Sequence, residues 1–127
     1  MIRCRKSQKG QSLVEFALIL PVFVVLLFGI MEFGRLWEMA NVLTSAAREG
    51  ARVAAVTSPD VSKATSAAQR VISAGNITQS VITVSGPNSS NEVTVTVSAA
   101  YTPMTGSIIP GLGPLSISRS TTMRWEG

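Results

Sequence analysis

The chain has no histidine and only one cysteine, Cys4, among its 127 residues. With no histidine and with carboxylates scattered along the sequence, there is no material for a metal-ligand cluster or for a Ser/His or Cys/His nucleophile pair. No catalytic residue, metal or cofactor is therefore expected, and no small-molecule substrate. A lone cysteine forms no internal disulfide, so any folded part must hold itself together by packing. Met1, Ile2 and Arg3, which precede Cys4, do not form a lipidation box. Aromatic residues make up 6% and charged residues 14%, both low. The sparse aromatics and the lack of a basic helix face remove the case for a nucleic-acid groove, despite a formal charge of +4.

The charge is unevenly distributed. Of the eleven basic residues, four (Arg3, Arg5, Lys6 and Lys9) lie in the first nine positions, which leaves seven to face the seven acids after Gly10. A basic cluster ahead of an apolar run is a topology signal: it stays cytoplasmic and sends the residues beyond the run across the membrane. The run itself, Phe16 to Met31, carries no charge and spans roughly 24 Å as a helix. That length lies between a full transmembrane helix and the apolar core of a cleaved secretory signal, so the flanks must decide. A secretory cut needs small residues just past the run, and Glu32-Phe33-Gly34-Arg35 provides no good site.

Helical patterning continues beyond the run. Phe33, Leu36, Ala40, Leu43, Ala47, Ala51 and Ala54 recur at spacings of three and four, an amphipathic stripe, and Trp37 beside it suits the outer membrane interface. A helix continuous from about Ser12 to Val56 would be roughly 65 Å long, more than a bilayer needs, so half of it is expected to form a stalk. Pro21 should kink it. Ser58-Pro59-Asp60 then predicts a second helix, with Ser58 as cap and Pro59 in the first turn, running to about Ala74 and ended by Gly75-Asn76.

From there the period changes to two. Val81 to Ser85, Glu92 to Tyr101 and Leu115 to Trp125 predict three strands of an antiparallel meander, with the loop from Gly86 to Asn91 closing the first hairpin. The expected fold class is α+β: a long N-terminal helix, transmembrane in one half and an amphipathic stalk in the other, a short second helix, and a small three-stranded antiparallel sheet packed on the stalk. The expected organisation is a basic leader over 1–10, a transmembrane segment over 11–37, and an extracytoplasmic stalk and head over 38–127.

The border between leader and apolar run holds the most informative residues. Glu15 is a carboxylate at the edge of an apolar helix, and acids in that position are costly unless partnered. A cut after Gly10, whose lack of a side chain suits an extended scissile bond, would free an α-amino group at Gln11, about one helical turn from Glu15. That amine could pair with Glu15 of its own or a neighbouring subunit and fix the register of stacked helices. Ser12-x-x-Glu15 also reads as a capping box that merely satisfies the first N–H groups of a helix. Both readings stand on these residues, and they are compatible.

Further along, Ala46, Gly50 and Ala54 form a small-xxx-small row that permits close helix approach, either between subunits or under the chain's own sheet. Arg48, Glu49 and Arg52 read as a solvated, salt-bridged face. Asn76-Ile77-Thr78 and Asn88-Ser89-Ser90 match the glycosylation sequon, a pattern too common to assign a glycan.

The segments Gly10-Gln11-Ser12-Leu13-Val14-Glu15-Phe16, Glu32-Phe33-Gly34-Arg35 and Ala46-Ala47-Arg48-Glu49-Gly50-Ala51-Arg52 together resemble the TadE-like family of tight-adherence pilus pseudopilins. The resemblance spans about Lys9 to Val56 and is loose in the head. It implies cleavage between Gly10 and Gln11 by a membrane aspartic prepilin peptidase, with Glu15 as the fifth mature residue. Gln11 stands where ordinary type IV pilins carry a methylated phenylalanine, which separates cleavage from N-methylation. The implied setting is the bacterial inner membrane, with the N-terminus inside and the head outside. The implied partners are prepilin peptidase, other pilin and pseudopilin subunits, the inner-membrane assembly platform and membrane lipid. The competing readings are an uncleaved signal-anchored binding domain and a secreted domain. An enzyme is the weakest class, because nothing pairs a nucleophile with a base.

Overall fold

The computed structural model describes residues 8–57, 60–107, 111 and 113–126. The leader before Gln8, including Cys4, and the Ser58-Pro59 pair lie outside them. Two helices, α1 (Gln8–Val56) and α2 (Val61–Ala74), are followed by strands β1 (Ser80–Ser85), β2 (Glu92–Tyr101) and β3 (Leu115–Arg124), with a 3-10 turn at Met104–Ser107. The sheet has the order β1-β2-β3 and is antiparallel throughout, so the fold is the expected α+β. Contacts divide the chain into two compact units, one ending at Phe33 and the other beginning at Gly34, four residues before the sequence-based boundary after Trp37.

In the first unit α1 begins at Gln8, four residues earlier than the sequence predicts. Ser12 is therefore in the helix and not at its cap, and the capping-box reading falls. Pro21 also lies within α1, where it offers no N–H to the carbonyl one turn back.

In the second unit the core is built from small residues at helical spacing against valines at strand spacing. Leu43, Ala46, Ala47, Gly50, Ala51 and Ala54 form the buried stripe of α1, and Ala64, Ala67, Ala68 and Ile72 that of α2. Val93, Val95, Val97, Ala99 and Tyr101 supply the inward face of β2, while the intervening threonines are partly exposed. The stripe is buried only from Leu43 onward. Phe33, which has the right spacing to belong to it, is 66% exposed.

Gly50 sits where three elements meet. A Cβ there would lie 3.1 Å from Val95 Cγ1 and 3.2 Å from the Ala68 Cβ, so β2 and α2 both approach α1 as closely as a hydrogen allows. The sheet thus rests on α1, as expected, with α2 beside it.

The start of α2 differs in detail from the sequence reading, and its end agrees with it. Its cap is Asp60, not Ser58, and the Asp60 carboxylate accepts a hydrogen bond from the Ser62 backbone N–H at 3.2 Å. Ser58 and Pro59, the expected cap and first-turn residue, lie outside the described residues. At the other end Gly75-Asn76 closes the helix as expected, with Asn76 in the left-handed conformation (φ 54°) and Gly75 at φ −85°. Ile77 N–H donates to Ile72 O and Asn76 N–H to Ser73 O, a Schellman closure, with Ile77 partly buried against the core cluster that contains Ile72. Gly75 has another role: a Cβ on it would come within 2.6 Å of Val42 on α1.

Alternation sets the register of β2 with its neighbours. Val95 pairs with Val84 and Thr121, and Val97 with Ile82 and Arg119. Beyond β3, Trp125 N–H donates to Asn91 O, and Glu126 N–H donates to Ala55 O near the end of α1.

Candidate processing and membrane site

Gly10 is exposed and helical, with no atom within 4 Å of where a Cβ would be. The bond between Gly10 and Gln11 is accessible but not extended as expected, because α1 has already begun. One turn on, the Gln11 side-chain amide donates to Glu15 Oε1 at 3.4 Å, an i to i+4 contact between exposed side chains. The carboxylate singled out in the sequence is thus engaged by the residue whose backbone nitrogen a cut would free. Phe16, next to it, is exposed and begins the apolar run.

From Leu13 to Met31 the large apolar side chains of α1 are all exposed, Leu13 by 70%. An uninterrupted apolar surface of this kind on a helix needs lipid or other helices around it. Mean hydropathy reaches 2.8 over the best 18-residue window, none of it buried, and by length and composition this is one helix able to cross a membrane among the described residues. Pro21 is compatible with that setting, since helices in lipid tolerate proline where neighbouring groups re-satisfy the backbone.

The small-residue row has a different fate. Ala46, Gly50 and Ala54 are buried in the second unit against α2 and β2, so they are occupied by the chain's own core and not exposed to another subunit. The charged face nearby is as read: Arg52 donates to Glu49 through Nε at 3.0 Å and through Nη2 at 2.8 Å. Those hydrogen bonds hold the Glu49 carboxyl below the usual range and raise Arg52 further.

Two features were not read from the sequence. The Arg35 guanidinium stacks 5.5 Å from the centroid of the Tyr101 ring, beside a cleft of about 490 Å³ whose far wall is the turn after α2. In addition, the indole Nε1 of Trp125 is buried with no hydrogen-bond acceptor, against a smaller hollow lined by Ala54, Val84 and Val93. A basic residue just past an apolar run was the only available signal for the first; nothing local marked the second. Among the described residues no group of three or more His, Cys, Asp or Glu side chains gathers as a metal-ligand set.

An apolar N-terminal helix able to span a membrane, followed by a small α+β head, defines a class of single-anchor membrane proteins. Residues 10–52 match the family model of TadE-like proteins, the same family that the motifs resemble. The match covers 43 of the 127 residues, about a third of the chain. No curated protein and no solved structure matches the chain.

Proposed function

We propose that the chain is the precursor of a structural, non-enzymatic pseudopilin, cut between Gly10 and Gln11 and held in the bacterial inner membrane by the apolar part of α1. The carrying observation is that the family match opens at Gly10 and runs through the exposed apolar helix into the head. The N-terminus stays inside by the charge rule and the head lies outside. Because α1 already spans the scissile bond, the peptidase must unwind its first turn, and glycine there makes that step easier than any residue except proline. The released amine of Gln11 then lies within a turn of Glu15, whose carboxylate it can join in place of the side-chain amide. Pairing of this kind, within or between subunits, sets the axial register of packed helices in a filament or its assembly complex. The partners are prepilin peptidase, other pilin and pseudopilin subunits, and the inner-membrane assembly platform.

An uncleaved signal anchor is the second reading, and it is favoured by the unbroken helix through Gly10. Intact mass and N-terminal sequencing of protein extracted from its native membrane separate the two. A chain starting at Gln11 is expected. A start at Met1 establishes the plain anchor, and a start beyond Gly34 makes the apolar segment a secretion signal.

A further inference from the structure

Gln11 and Glu15 lie on one face of α1, and the Gln11 carboxamide nitrogen is 3.4 Å from Glu15 Oε1, with both side chains exposed. The first N–H groups of a helix have no carbonyl partner within it. Once Gln11 is the first residue, therefore, no hydrogen bond of the helix engages its nitrogen. Three groups then share one exposed turn: the α-amine of Gln11, the carboxamide of the same residue and the carboxylate of Glu15. What the first two can do is particular to glutamine. Its carboxamide carbon stands where attack by its own α-amine closes an unstrained five-membered lactam.

We propose that the new terminus is a modification site, at which Gln11 cyclises to pyroglutamate unless its amine is paired with Glu15. The inference rests on the cut between Gly10 and Gln11 proposed above. The amine nitrogen bonds to the side-chain carbonyl carbon, the bond from that carbon to its amide nitrogen breaks, and the nitrogen leaves as ammonia with the proton that the amine gives up. No oxidant, cofactor or second substrate is needed. The attack does require a lone pair. An α-amino group, with an ordinary pKa of about 7.7–8.0, has a minor unprotonated fraction at neutral pH, and an amine held as an ammonium against a carboxylate has no lone pair to offer. Glu15 thus decides between two fates. Within one chain the pair is exposed and weak, so it only slows the reaction; a pair closed between packed subunits stops it. Cyclisation removes the terminal charge for good and leaves Glu15 at the edge of the apolar run with no ammonium to meet it, which is costly there. A processed subunit that waits too long for a neighbour is in this way withdrawn from register pairing.

The test uses the full chain in nanodiscs, cut by purified prepilin peptidase and followed by intact mass from the moment of cutting. The expected product starts at residue 11, becomes lighter by one ammonia, resists Edman degradation, and is reopened by pyroglutamyl aminopeptidase. Glu15→Ala, which removes an exposed pair, should lose ammonia about threefold faster. Gln11→Met keeps the reach of the side chain without its amide and should hold its mass. A product that starts at Gln11 and keeps a free amine and full mass overturns the cyclisation and leaves the cut intact. Ammonia loss that persists in Gln11→Met overturns it as well, and equal rates for the native chain and Glu15→Ala overturn the role given to Glu15. A chain that still starts at Met1 fails the cut itself, and the modification with it, which the first mass already shows.

Discussion

A methyl group on Gly75 would lie 2.6 Å from Cγ1 and 3.0 Å from Cγ2 of Val42. Gly75 has an ordinary negative φ, so alanine meets no backbone strain there and the clash alone is measured. Val42 is β-branched and stiff in a helix, and it cannot swing aside cheaply. Gly75→Ala is expected to destabilise the head by about 1–3 kcal/mol, and Val42→Ala in the same chain to recover part of the loss. Denaturant melts of the single and double variants check this. Additive losses would show that the two residues do not press on each other.

Gly50 differs because its neighbours stand slightly further off. Alanine gains about 1 kcal/mol of helix propensity and loses a comparable amount to crowding against Val95 and Ala68. Gly50→Ala is therefore expected within about 1 kcal/mol of the native stability, whereas Gly50→Leu should cost about 3 kcal/mol or prevent docking of the sheet. A thermal melt of each variant separates these outcomes.

Trp125 keeps its indole N–H buried without an acceptor. Trp125→Phe removes that unsatisfied donor while leaving a ring against Ala54 and Val93, and the change should cost less than about 1 kcal/mol, as the released donor offsets lost contact. Trp125→Ala should cost about 3 kcal/mol. Equal losses for the two would mean that the donor has a partner in solution.

Asp60 is held below the ordinary carboxyl range, chiefly by its hydrogen bond from Ser62 and also by Lys63, whose Nζ is 3.7 Å away. A depressed folded pKa stabilises above the unfolded value, and that contribution disappears as pH falls through the folded one. The melting temperature should therefore fall as the pH drops below about 4. Asp60→Asn keeps a capping oxygen but does not titrate, so its melting temperature should fall less steeply over the same range.

Glu15→Ala should leave cleavage after Gly10 intact and reduce pilus assembly, since the carboxylate partners the new amine and is not itself the scissile group. Immunoblotting for the processed chain, alongside a count of surface pili, reads both effects. Normal piliation in this variant would remove the register argument.

Much of this architecture was legible in local pattern. Alternation from Val93 to Val97 placed β2 at its observed limits, and the periodic alanines of α1 marked its buried stripe. Gly10, Gln11 and Glu15 stood out because charge and hydropathy change abruptly around them. What local pattern missed depends on distance in sequence. No spacing rule links Arg35 to Tyr101, or Gly75 to Val42, because those pairs are set by how helix and sheet dock. Likewise the start of α1 was read too late, since a serine and an acid three residues apart look like a helix cap whether or not the helix has already begun.

The hydrogen bond from Glu126 to the Ala55 carbonyl closes the end of α1 with a group from the far side of the sequence. A helix whose final turn is completed in this way has no finished state of its own: α1 is closed only after β3 is seated on β2. In the proposed topology, with the anchor delivered first, this would place the closing of the helix late in folding. The helix precedes in sequence the strands that cover its alanine face, so that face would stay uncovered until they dock.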